Sequence, residues 1–259
     1  VFGRSQAQAS DELLMNPTDL EILYADEAIV AVNKPAGLLV HRSHLAEGEH
    51  DVLVDRVRHL TGRQLKLVHR LDRATSGVTL LAESSQTAAA LGAQFMQRSV
   101  RKRYLAICRG WPPQAGDIEH ALDAPGQPQA KPARTVWQRL ATAEVATPVG
   151  RYASARVALI AAEPLSGRYR QIRRHFKHIS HHLVGDTSHG DGRYNRWFRI
   201  HTQVHRLMLH AQVLEFVHPI SGASMRLSAG LDGDWVKALS KLGWDSAHSL
   251  DSDRALGPA

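Results

Sequence analysis

The sequence predicts an α+β fold with a central mixed, mostly antiparallel sheet flanked by helices. Apolar runs of strand length recur along the chain, only a few segments carry helical spacing, and the links are hairpin-like with no regular βαβ alternation. Size and composition agree: 259 residues, 43% hydrophobic and 22% charged, can bury a sizeable core, and no internal repeat or low-complexity segment is visible.

Residues 1–19 are polar, contain Asn16-Pro17 and show no periodicity, so a flexible N-terminal extension is expected before a single domain over 20–244. Residues 245–259 read as a flexible C-terminal tail. Within the domain, Glu21 to Tyr24 and Ala28 to Asn33, split by Asp26-Glu27, read as a hairpin, and Lys34-Pro35-Ala36-Gly37 as a tight loop. Leu53, Val57 and Leu60 recur at i, i+4, i+7 before Gly62, which predicts a short amphipathic helix with a glycine stop. Val78 to Leu81 is a strand. Ser84 or Ser85 should cap a helix to about Gln97, with Ala88, Leu91 and Phe95 inward, followed by a strand around Arg103 to Cys108.

Residues 112–134 carry five prolines among small and polar residues, so an irregular, mobile surface insertion is expected. Ser154 to Ala162 reads as a buried strand. Ser166 should then precede a helix to about Ser180, with Ile172, His175, Phe176 and Ile179 at helical spacing. Leu207 to Val217 is strand-like, His218 to Gly222 a turn, and Trp235, Leu239 and Leu242 mark a final helix capped by Asp234 and stopped by Gly243.

Charge bounds the function. Lys and Arg number 32 against 25 Asp and Glu, a net +7 with a pI near 9.8, so an anionic partner is expected, nucleic acid first. Sixteen histidines can add positive charge beside phosphates. Arg98, Arg101, Lys102, Arg103 and Arg109 form one acid-free cluster, and Arg168, Arg170, Arg173, Arg174 and Lys177 a second; two such clusters favour a groove over a merely solvated face. No apolar run approaches the ~18 residues that cross a bilayer, and Val1 to Ser10 lacks a signal-peptide stretch. The single cysteine, Cys108, can form neither an intrachain disulfide nor a Cys-rich zinc site, which suits a reducing cytoplasm. His175, His178, His181 and His182 have spacings a helical zinc site could use, but their cationic setting opposes a dication and no metal is expected.

His69-Arg70-Leu71-Asp72-Arg73-Ala74-Thr75-Ser76-Gly77 packs an acid between two arginines before a strand. Its ordinary reading is a solvated loop ion pair. The alternative is a reactive carboxylate, because guanidinium neighbours favour the ionised form that a nucleophile or base needs.

This motif resembles the central motif of the RluA family of pseudouridine synthases. Val30 to Gly37 with Val40-His41, Lys102-Arg103-Tyr104, and Ser166-Gly167-Arg168 through Gln171-Ile172-Arg173-Arg174-His175 match the family in the same order, over about residues 20 to 244. Longer runs, among them Leu20 to Tyr24, Val40 to Ser43, Gly185-Asp186 with His189-Gly190-Asp191, Arg206 to Ala211 and Ala229 to Asp232 with Trp235, are similar to members that modify uridine 65 of certain tRNAs. Tyr169-Arg170 departs from the pair more common in the family.

The resemblance implies the pseudouridine-synthase catalytic fold and an isomerase that breaks the N1–C1′ bond of a uridine, turns the base and rejoins it through C5, with no cofactor. It implies Asp72 as the catalytic aspartate, Arg173 as its partner, Tyr104 as the ring stacking on the base, and Ile172 as the opposite apolar wall. Arg70 fills the stack vacated by a flipped nucleotide. Lys102 and Arg103 are expected at phosphates, with His69 and Arg73 beside them at the substrate, while Lys34, Pro35 and Gly37 shape a loop beneath the site. The expected partner is tRNA, with ribosomal RNA as the alternative; members acting on the latter often carry an extra N-terminal RNA-binding domain, for which residues 1–19 are too few. A non-catalytic RNA-binding or chaperone module is the other class, disfavoured because Asp72, Tyr104 and Arg173 are all present. A glycosidase would need a flanking pair of carboxylates. The reading is completed by a monomer with no membrane and no obligatory protein partner.

Overall fold

The computed structural model describes residues 20–42 and 51–244; the expected extension, the tail and Ser43 lie outside the described residues. Strands β1 (Ile22–Ala25) and β2 (Ile29–Lys34) form the expected hairpin, turned by the Asp26 carboxylate, which accepts from the N–H groups of Ala28 and Ile29 at 2.8 Å each. Helix α1 (Leu53–Thr61) stops at Gly62, whose φ of +67° is left-handed. Then come β3 (Lys66–Leu67), β4 (Ser76–Ala82) and α2 (Ser85–Met96), capped by Ser84 on the Thr87 N–H. The chain continues through β5 (Arg101–Arg109), β6 (Ala115–Glu119), β7 (Leu122–Ala124), β8 (Gln127–Lys131), β9 (Arg134–Val145) and β10 (Ala155–Pro164). It ends with α3 (Gln171–His178), α4 (Gly192–Thr202), β11 (Leu209–Val217), β12 (Ser224–Ser228) and α5 (Gly233–Lys241).

The main sheet has the order β1-β2-β4-β11-β5-β10-β9-β6, with β3 on β4 and β12 on β11, while β7 and β8 pair separately. Among the described strand pairs only β4 with β11 is parallel, so the sheet is mixed and mostly antiparallel as the sequence predicts. Its centre is covered on both faces, which is why β5 and β10 read as continuous apolar runs. Leu105 and Ile107 point to α4 and α5, packing with Trp197, Phe198 and Trp235. Ala106 and Cys108 point to α3, packing with Ile172 and Phe176, and Tyr104 shares that side. Strand alternation thus decides which β5 residues can meet α3.

Four expectations need correction or completion. Residues 112–134 are not an irregular insertion: β6 pairs along β9, and β7 turns into β8 through Pro125-Gly126, with Gly126 at φ +74°. Pro125 and Gly126 suit that turn because one presets φ and the other tolerates the left-handed region. Helix α3 starts at Gln171 rather than after Ser166, since the Ser166 hydroxyl donates to Gln171 Oε1 at 2.7 Å and holds 166–170 as a loop against β9. Helix α5 is capped by Asp232, not Asp234; the Asp232 carboxylate accepts from the Trp235 N–H at 3.1 Å, leaving Asp234 in the first turn. Finally, β3, β9, β12 and α4 are additions to the sequence reading.

Candidate active site

The loop between β3 and β4 carries the Asp72 motif and is pinned from several sides. His69 Nε2 accepts from the Leu80 N–H at 3.0 Å, and its ring stacks on Phe95 with centroids 4.8 Å apart. Burial, then the Lys102 charge, push its pKa down to about 4, so His69 is a neutral scaffold with its proton on Nδ1. The Arg73 carbonyl accepts from the Gly37 N–H at 2.8 Å and from Lys34 Nζ at 3.2 Å, and Arg73 Nε donates back to the Gly37 carbonyl at 2.8 Å. Fully buried Lys34 also donates to the carbonyls of Pro35 and Leu38, so the Lys-Pro-x-Gly loop clamps the motif from below. Thr75 N–H closes a turn onto the Asp72 carbonyl at 3.0 Å.

Just beyond, β4 meets β11. Gly77 has φ +114°, and a Cβ there would run into the Ala211 backbone. Beside it Arg206 donates to Ser76 Oγ at 2.6 Å, Ser76 Oγ meets His210 Nδ1 at 2.8 Å, and His210 Nε2 meets the Ala229 carbonyl at 3.1 Å. Read in that order, His210 donates from Nε2 and accepts at Nδ1; burial pushes its pKa down to about 4.

Helix α3 supplies the opposing wall. Gln171 anchors it by donating to the Arg134 carbonyl at 2.9 Å and Thr135 Oγ1 at 3.0 Å, and His175 pairs with Thr135 Oγ1 at 2.9 Å and the His120 carbonyl at 3.0 Å. His181 and His182 likewise pair with backbone carbonyls, of Arg109 and His189. From this helix, buried Arg173 bridges two carboxylates. Its Nη1 donates to Asp72 Oδ2 at 2.9 Å, while Nε and Nη2 donate to Asp186 Oδ2 and Oδ1 at 2.7 and 2.8 Å. Burial alone would lower the Arg173 pKa, but hydrogen bonds and charge from Asp186 and Asp72 raise it. Burial alone would raise that of Asp186; the guanidinium and the N–H groups of His189 and Ser188 hold it below the ordinary carboxylate range.

Asp72 is 26% exposed and opens into a cleft of about 550 Å³. Arg173, Ile172, Tyr104, Lys102, Arg70 and His69 line the same cleft. Burial and then the Asp72 charge push the Tyr104 hydroxyl up, which keeps it protonated near neutral pH. Ile172, 5% exposed, forms apolar wall, and Arg70 stands exposed on the motif loop. Lys102 donates to the Ser166 carbonyl at 3.2 Å; burial and then Arg98 push its pKa down to about 8. Arg98, Arg168 and Arg170, members of the two acid-free clusters, are further cations lining the cleft.

Arg103 and Arg73, expected at the substrate, do not line this cleft. Arg103, one residue from Tyr104, faces the other side of β5, where its charge acts on Glu163. Arg73 reaches back to Gly37. Asp186 is the residue sequence reasoning missed: Gly185-Asp186 reads as a turn, and its partner Arg173 lies 13 residues away with no spacing rule to connect them. Ordering a carboxylate, a phenol and a guanidinium around one cavity equips it to act on an anionic ligand carrying a flat ring.

Residues 28–178 match the family model described as RNA pseudouridylate synthase. The tRNA pseudouridine synthase C of Salmonella typhimurium is 45% identical over 235 residues, covering 87% of this chain and 90% of that protein. The tRNA pseudouridine synthase C of Vibrio parahaemolyticus is 40% identical over 241 residues, covering 89% and 98%. Among solved structures, human RNA Pseudouridylate Synthase Domain Containing 4 superposes with a TM-score of 0.67 at 25% identity, covering 86% of this chain and 93% of that one.

Proposed function

The chain belongs to the RNA pseudouridylate synthase family, and on that premise we propose that it converts a uridine of tRNA, at position 65, to pseudouridine, with Asp72 as the catalytic aspartate. The observation that carries the reading is the Arg173–Asp72 contact at 2.9 Å, in a cleft that also holds Tyr104. Curated relatives at 40 to 45% identity bearing the name tRNA pseudouridine synthase C support the substrate.

The isomerisation detaches N1 from C1′, turns uracil within the cleft and joins C5 to C1′, with loss of the C5 proton and gain of one at N1. Asp72 serves it either by attacking C1′ or by removing the 2′ proton, and both routes use a carboxylate held toward the ribose. Arg173 fixes the orientation of that carboxylate. Tyr104 stacks on the uracil, and Ile172 closes the apolar side, so the detached base stays in place while it turns. The target uridine is swung out of the RNA stack, and Arg70, long and planar, fills the gap. Lys102, Arg98, Arg168 and Arg170 meet phosphates.

The test uses a strain lacking the gene: its total RNA is treated with carbodiimide and read for reverse-transcription stops. One tRNA stop should vanish, return with the wild type, and stay absent with Asp72→Asn, whose kcat should fall about 10⁴-fold while RNA binding persists. An intact tRNA profile with a missing ribosomal RNA stop would overturn the substrate. Full activity of Asp72→Asn would overturn the site.

A further inference from the structure

We infer that Asp186 is a positioning residue that aims Arg173 at Asp72, so that the catalytic aspartate is oriented by a carboxylate outside the cleft. This rests on the reading of Asp72 as the reacting carboxylate.

The guanidinium offers its N–H groups in one rigid plane. Asp186 takes Nε and Nη2 as a two-point fork, which sets both the plane and the rotation of the group. Nη1 is then left pointing at Asp72 Oδ2. Without the fork, Arg173 could swing and present two N–H groups to Asp72, tying up both of its oxygens. With it, one guanidinium serves two carboxylates and Asp72 receives a single hydrogen bond from it.

Asp186 is itself held more firmly than a turn requires. Its Oδ1 accepts from the N–H groups of Ser188 and His189 at 2.9 Å each. Its main-chain carbonyl accepts from Asn195 Nδ2 at 2.8 Å, and Asn195 Oδ1 accepts from the Gly185 N–H at 2.8 Å, so α4 grips the loop on both sides of the residue. A Cβ on Gly190 would lie 2.1 Å from the Asp186 carbonyl oxygen, so the loop closes on the aspartate only because glycine is there. The Asp186 side chain is 1% exposed, and a buried charge persists where each oxygen is hydrogen-bonded, as here. The result is a rigid path from Asn195 through Asp186 and Arg173 to Asp72.

The experiment is a double-mutant cycle on the full chain. Asp186→Asn and Asp186→Glu are made in the wild type and in Arg173→Lys, and kcat, KM, affinity for a tRNA transcript and thermal unfolding are measured. Asp186→Asn should lower kcat about 100-fold, the scale of a misaimed catalytic group, and leave tRNA affinity within about threefold. Asp186→Glu keeps the charge but moves it by one methylene; its kcat should fall about tenfold, and it serves if the asparagine variant does not fold. In the Arg173→Lys background both should cost less than about twofold more, because the pair acts as a unit. Losses that multiply in the double variants, or that appear in affinity instead of kcat, would overturn the inference while leaving the enzyme's identity intact. A wild type that forms no pseudouridine in any tRNA would overturn the functional reading instead.

Discussion

Gly77 and Ala211 sit so close that a Cβ on the glycine would lie 2.2 Å from the Ala211 carbonyl oxygen. This is the parallel junction of β4 with β11, five residues past Asp72, and glycine also supplies the φ of +114° that the chain needs there. Gly77→Ala should therefore fail twice, by strain and by collision with backbone that cannot yield. A loss of about 3 kcal/mol or more is expected, read by urea unfolding, with catalysis falling in whatever fraction still folds.

Acid should destabilise the fold well before carboxylates titrate. His69 and His210 have pKa values near 4 in the folded protein against an ordinary 6.5, both because burial disfavours the charged ring. The unfolded chain thus binds more protons between those values, and stability, full above pH 6.5, declines as pH falls toward 4. Asp186, whose folded pKa is lowered from 3.8, adds stability that is full above 3.8 and lost only as pH falls further. Unfolding free energy measured against pH should show these as separate windows. His210→Gln should flatten the upper one while lowering stability at pH 7; an unchanged slope between 6.5 and 4 would count against the neutral-histidine assignment.

Arg70→Ala should reduce turnover on folded tRNA more than on an unstructured oligonucleotide of the same sequence. In a loose strand the uridine is already unstacked, so little remains for Arg70 to replace. A difference of about tenfold between the two substrates is the expected reading, and equal losses would remove Arg70 from that role.

Removing charge from the cleft lining should behave differently. Arg98→Ala or Arg168→Ala should weaken RNA binding and lower the slope of log affinity against log salt by about one unit each, with little effect on kcat at saturation. Titrations at several salt concentrations read the slope directly.

Much of the fold was legible because its signals are local. Ser84 before α2, Gly62 after α1 and the apolar runs of β4, β5 and β10 each determine an element within a few residues. The errors arose where composition and structure diverge: Pro125 and Gly126 look like loop chemistry, yet they turn a two-stranded hairpin. In α4 the basic residues Arg193, Arg196 and Arg199 break up the apolar pattern, although Asp191 caps it and Tyr194, Trp197 and Phe198 bury one side. The resemblance led to Asp72, Tyr104 and Arg173, which the fold brings around one cleft. That Arg103 faces away from Lys102 and Tyr104 was readable, since neighbours on a strand face opposite ways. Asp186 was not, because a buried ion pair between a helix and a separate loop leaves no local trace.

The parallel pairing of β4 with β11 also sets a timetable for synthesis. His210 must leave the ribosome before it can pair with Ser76, and Arg173 and Asp186 emerge long after Asp72. The nascent chain therefore carries an unassembled candidate site until its later segments arrive, and pairing of such distant segments is the slow step expected in its maturation.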